Sequence, residues 1–173
     1  MKALIPFLLA LFAWPAGVSA LETQNGLQIA VAPKTISRND TRYAYYFTSR
    51  SINRMMALQI VTKNVSIKPM PEGTLEWQIL VLRTGYGYSY SSGSSEHYAG
   101  TEKLPALKAA ASNEVLVGSA QIGGWNDGST QRKDKMEYKI TVKHDGKVTA
   151  EVTSTPAFDS IAAHAHKNTT PKQ

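Results

Sequence analysis

Apolar and polar residues alternate with a period of two along most of the chain, and that period predicts strands. Leu27, Ile29 and Val31 alternate with Gln28 and Ala30 before Pro33, which predicts a first strand at a sheet edge. Met56, Leu58, Ile60 and Thr62 predict a second strand ending at Asn64. A turn follows at Lys68-Pro69-Met70-Pro71-Glu72-Gly73. Leu75, Trp77, Ile79 and Val81 then share one face of a nine-residue strand from Thr74 to Leu82, roughly 30 Å when extended. Near the C-terminus, Met136, Tyr138, Ile140 and Val142 alternate outward, and Val148, Ala150 and Val152 alternate back. Between them Asp145-Gly146 supplies the positive φ that a two-residue primed turn requires.

The remaining segments are less regular. Residues 37–54 are polar around an aromatic clump of Tyr43, Tyr45, Tyr46 and Phe47. Tyr86, Tyr88 and Tyr90 alternate with Gly and Ser as a short flanking strand, and Ser89–Ser95 reads as a loop. Leu104–Leu107 is open between one helical turn and an irregular connection. Glu114–Ile122 is a further apolar run, and Gly123–Gly128, which contains Trp125, reads as a loop. Phe158–Ala163 suits a short helix, and Ala165–Gln173 is a polar tail. The expectation is an all-β fold: an antiparallel β-sandwich of about seven strands with at most a short C-terminal helix, a closed barrel being the alternative.

Residues 1–20 follow a different rule. Lys2 supplies a positive start, residues 3–13 an apolar run, and Val18-Ser19-Ala20 small residues at the −3 and −1 positions. This is the order of a secretory signal peptide. Pro6, Pro15 and Gly17 interrupt the rival reading, an uncleaved anchor. The expected division is a signal peptide at 1–20, an N-terminal strand and undetermined segment at 21–53, a sandwich core at 54–160, and a disordered tail at 161–173. Removing Lys2 with the leader shortens the 173 residues to 153 and takes the net charge from +6 to +5. Cysteine is absent, which excludes disulfides, Cys-bearing metal sites and a thiol nucleophile. Export without disulfides points to a bacterial periplasm or extracellular envelope, with no stable membrane insertion after cleavage.

Two groups of residues carry a resemblance. One is Lys63-Asn64-Val65-Ser66, the Pro/Gly turn, and Thr74-Leu75-Glu76-Trp77; the other is Met136–Val142 with its Asp-Gly turn and Val148–Val152. Over residues 54–154 the chain resembles the cysteine-free bacterial immunoglobulin-like or fibronectin type III-like domains. The resemblance implies that Trp77 is the core tryptophan of the third strand and Tyr138 the inward tyrosine of the penultimate one. It also implies a non-catalytic scaffold for adhesion, spacing or recognition, and a fold alone does not choose among these.

Candidate chemistry is sparse. The sequence contains no Gly-x-Ser-x-Gly elbow, phosphate loop or His-Glu-x-x-His motif, and Gly85-Tyr86-Gly87 lacks the third glycine of a dinucleotide fingerprint. No cofactor is expected. His164 and His166 lie in the polar tail, and Asn126-Asp127-Gly128 reads as a turn, so no metal site is expected either. Tyr86, Tyr88 and Tyr90 recur at i, i+2, i+4 and form a stripe on one strand face. With Trp125 they are the candidate binding residues, the alternative role being to cover one end of the core. Basic residues are spread along the chain, densest at Arg132-Lys133-Asp134-Lys135. The expected partner is a protein or a cell-envelope polysaccharide, not nucleic acid. The leading expectation is an exported structural or protein-interaction module; the second is a carbohydrate-binding module using the tyrosine stripe. Mass spectrometry of the exported chain is expected to give Leu21 as its first residue; a chain beginning at Met1 would show the leader to be an anchor.

Overall fold

A computed structural model describes residues 20–43, 49–84, 94–126 and 131–167. The described chain is all-β apart from one short helix, in two sheets whose long strands are all antiparallel. The first sheet has the order β1 (Ala20–Gln24), β2 (Leu27–Arg38), β4 (Ser49–Asn64), β7 (Ser112–Asn126) and β8 (Gln131–Lys133), with β3 (Thr41–Tyr43) also on β4. The second has the order β10 (Lys147–Thr153), β9 (Lys135–His144), β5 (Gly73–Leu82), β6 (Ser95–Leu104) and β11 (His166–Lys167). Of these pairings only β11 with β6 is parallel, over two residues.

The core lies between the sheets and follows the alternation in the sequence. Leu27, Ile29, Val31, Leu58 and Ile60 enter it from one side; Leu75, Ile79, Tyr138, Ile140 and Val142 enter it from the other. The terminal hairpin turns at Asp145-Gly146 with positive φ at both residues. Asn25-Gly26 makes the same kind of turn between β1 and β2, with φ of 48° and 76°.

Several expectations change. Pro33 does not stop the first strand, because β1 pairs with β2 only as far as Val31. Beyond that point nothing among the described residues pairs with this side of β2, and on such an edge a missing N–H is tolerated. Segment 37–54 supplies the end of β2, β3 and the start of β4, a sixteen-residue strand. Residues 161–167, placed in the tail by composition, include the end of α1 (Phe158–Ala162) and β11; Phe158 is buried and Lys139 bonds Asp159. Among the described residues no helix is long and apolar enough to cross a membrane.

Trp77 connects the two sheets. On β5 it lies opposite Gly100 of β6, and a Cβ at Gly100 would stand 2.6 Å from the indole Cε2. From the other sheet Gly118 approaches the same ring, where a Cβ would stand 2.9 Å from Cζ3. Gly118 has φ of +62° at a bulge in β7, so Val117 and Ala120, three residues apart, both reach the core. The indole N–H is buried without a hydrogen-bond partner among the described residues. Shape, then, holds this ring.

The outer edge of β10 is closed by side chains. The Gln24 carboxamide accepts from the Glu151 N–H at 3.1 Å and donates to the Glu151 carbonyl at 3.3 Å, as a backbone peptide would. Asn25 donates to the Thr149 carbonyl at 2.7 Å.

Gly100→Ala is expected to cost about 1–3 kcal/mol by overpacking against the indole, read as a lower urea midpoint with unchanged slope. Trp77→Phe in that background is expected to restore part of the loss, since the two sites share one contact.

Candidate functional site at the arginine-bearing end

All six arginines of the chain, Arg38, Arg42, Arg50, Arg54, Arg83 and Arg132, fall at one end of the sandwich. Arg38 ends β2, Arg42 lies in β3, and Arg50 and Arg54 open β4. The end of β7 pairs with that part of β4 and also with β8, which carries Arg132. Arg83 follows β5 and bonds Asp134, between β8 and β9. The opposite end is served by lysines such as Lys63, Lys68 and Lys147, beside the turns there.

Register creates a problem that Asp40 solves. Arg38 and Arg54 are directly paired across β2 and β4, and like charges facing each other on neighbouring strands repel. Arg50 and Arg54 share the face of Ile52, which is buried. Asp40 places its carboxylate among the three guanidinium groups, with Oδ2 2.6 Å from Arg50 and 3.0 Å from Arg54 and also bonded by Arg38 Nε. Its Oδ1 accepts from the Asn53 N–H at 3.3 Å. The hydrogen bond from Arg54 is the main reason its carboxyl is held far below the ordinary aspartate range; burial opposes the shift, and Arg38 and Asn53 add to it. One negative charge thus serves three positive ones. Arg50 Nε is buried without a partner among the described residues.

A second network ties the strand ends together. Arg83 forks onto both oxygens of Glu96, at 2.9 and 2.7 Å, and donates to Asp134 at 2.7 Å and to the Gln121 carbonyl at 2.8 Å. Asp134, almost wholly buried, also accepts from the N–H groups of Thr84 and Gly123, each at 2.9 Å. Burial works against the Arg83 charge, but its hydrogen bonds to Glu96 and Asp134 outweigh burial and its pKa is raised. Glu96 is lowered, chiefly by Arg83, against burial and with help from the Tyr98 hydroxyl. The network joins the end of β5, the start of β6, β7 and the β8–β9 corner.

Of the residues singled out from sequence, Tyr86, Tyr88 and Tyr90 lie outside the described residues. Trp125 does not lie in a loop: β7 continues through Gly123 and Gly124 to Asn126, and Trp125 pairs with Ser51 on one side and Arg132 on the other. A Cβ at Gly124 would come within 2.8 Å of the Arg132 carbonyl, so glycine here serves close strand approach. Trp125, Ser51 and Arg132 therefore share the sheet face opposite Arg50 and Arg54. The arginine cluster at Asp40 was not anticipated; the signal for it was the spacing Arg38, Arg42, Arg50, Arg54 around a single acid. Among the described residues no group of three or more His, Cys, Asp or Glu could hold a metal ion.

No family model and no curated protein matches the chain. Two solved structures align with it at low similarity. One is the X-ray structure of Northeast Structural Genomics Consortium target SoR45, with TM-score 0.37 and 9% identity, covering 77% of this chain and 89% of that one. The other is a crystal structure from Akkermansia muciniphila, with TM-score 0.35 and 10% identity, covering 87% of this chain and 84% of that one.

Asp40→Asn is expected to lower the melting temperature near neutral pH. Because the folded-state pKa is depressed, the stabilisation is present above the unfolded value of about 3.9 and fades as pH falls further. Melting curves should show wild type and variant converging below about pH 4.

Proposed function

We propose that this chain is an exported, non-catalytic fibronectin type III-like β-sandwich that serves as an interaction module in a bacterial envelope, with the arginine-bearing end as its contact surface. The collection of every arginine at that end carries the reading. Arginine is enriched where protein surfaces make specific contacts, because its planar fork binds oxyanions and stacks on aromatic rings. The strand order supports the fold assignment. Seven strands have seven or more residues, and they form a three-strand sheet, β2-β4-β7, facing a four-strand sheet, β10-β9-β5-β6. Such an arrangement supports a fibronectin type III-like reading, in which Trp77 belongs to the third long strand and Tyr138 to the penultimate one. The leader at 1–20 supports export. Asp40, kept ionised by its arginines, suits ion pairing rather than proton transfer.

A second reading, carbohydrate binding, is favoured by the position of Trp125 beside Arg132 on one sheet face. An aromatic face stacks on sugar rings while a guanidinium bonds their oxygens. Segment 85–93 connects β5 and β6 and contains only Gly, Tyr and Ser, a composition suited to adaptable contacts.

An array of envelope glycans and immobilised envelope proteins, probed with the exported chain, tests both readings. Trp125→Ala, Arg132→Ala, and Tyr86→Ala, Tyr88→Ala and Tyr90→Ala together are each expected to lower the signal by about tenfold. Lys147→Ala at the opposite end is expected to leave it unchanged. A signal indifferent to every change at the arginine-bearing end discards the assignment, and the class of feature that lights up separates the two readings.

A further inference from the structure

We infer that Arg38, Arg50 and Arg54 form a preformed oxyanion site that takes the carboxylate or sulfate groups of an acidic polysaccharide. The inference rests on the contact surface proposed above and names its ligand chemistry.

Three guanidinium groups converge on one carboxylate, so the cluster keeps an excess of two positive charges. A guanidinium has five N–H donors. Arg38 spends Nε on Asp40, Arg50 one terminal nitrogen, and Arg54 Nε and one terminal nitrogen. Arg50 Nε is buried with no acceptor among the described residues, so the donors that Arg50 can offer a ligand are its terminal nitrogens. The side chains are open enough to be reached, at 52%, 34% and 23% exposure for Arg38, Arg50 and Arg54. Asp40 acts as the positioning group. It holds Arg38 and Arg54 together against their repulsion, so the rotamer entropy of assembling the site is spent during folding rather than at binding.

The surroundings favour a glycan over a protein or a lipid. A stable protein interface has an apolar centre. Of the exposed large apolar side chains among the described residues, Ile36 alone adjoins the cluster; Val65, Ile67 and Val148 belong to the opposite end, and Leu21 and Leu116 to the sheet between. A membrane surface likewise asks for apolar residues beside the charge. A polysaccharide asks for charge and hydrogen bonds, which the three guanidinium groups supply; Trp125, at the same strand ends, lies on the opposite sheet face.

Titration calorimetry of the exported chain against polygalacturonate, its methyl ester, heparin and phosphatidylglycerol vesicles tests this at several salt concentrations. Polygalacturonate and heparin are expected to bind, and the methyl ester to bind at least about tenfold more weakly than polygalacturonate. Arg38→Gln and Arg54→Gln are each expected to weaken binding about tenfold and to flatten the dependence of log K on log salt by about one. Lys63→Gln, at the opposite end, should change neither. Arg38→Gln alters the most exposed member, and circular dichroism reports whether it folds. Equal binding of the ester, or arginine variants with unchanged affinity and salt slope, overturns the inference. Vesicles that bind more tightly than either glycan, with the same arginine dependence, replace the glycan by a lipid phosphate and overturn it as well. If Trp125→Ala abolishes binding while the arginine variants do not, the oxyanion site fails and the contact surface stands; if none of these changes matters, both fail.

Discussion

The indole of Trp77 fills the space between two glycines, Gly100 beside it in its own sheet and Gly118 in the facing one. Most of the architecture follows from that contact. A side chain at either glycine would push a strand away, so the sheets can approach only where both residues lack a Cβ. At Gly118 the backbone also takes positive φ, and the resulting bulge shifts the inward phase of β7 from Val117 to Ala120 and Ile122. That shift carries β7 onward alongside β4 to Trp125 and Asn126. A packing constraint in the core thus sets which residues reach the arginine-bearing end.

At that end charge takes over from apolar burial. β4 and β7 continue to the strand ends with Ile52 and Ile122 buried, but the alternate inward positions on β4 are Arg50 and Arg54. Two buried carboxylates make this tolerable in different ways. Asp134 is satisfied on every side by backbone N–H groups and Arg83, and it fixes four strand ends in one frame. Asp40 neutralises only part of the charge around it. The first network is structural; the second leaves attraction to spare.

What was legible in the sequence was the material that alternates and buries. Thr74–Leu82 and the hairpin around Asp145-Gly146 sit where period two placed them, and Trp77 and Tyr138 are both in the core. The features that escaped detection interrupt the pattern. An extra residue near Ile36, where the β2–β4 register shifts, and polar inward positions on β4 made 37–54 unreadable as strand. β6 buries only Ser95 and Leu104 at its ends, so its own sequence shows no alternation. Gly123 and Gly124 imitated a loop because the role of Gly124, close approach to β8, depends on a three-residue strand with no apolar alternation of its own. The Asp40 cluster is a product of register, and register is set by pairing, not by local composition.

The Gln24 carboxamide at the β10 edge bears on how copies of this chain can meet. A sheet that grows by edge addition needs an acceptor at both sides to propagate. In the second sheet the β10 side already holds amide groups where a neighbour's backbone would dock, at Thr149 and Glu151. Strand addition through that sheet is left with the β6 side, and joining by a single edge ends at a pair of molecules. Two side chains in the first hairpin thereby close one edge of this sheet to strand addition.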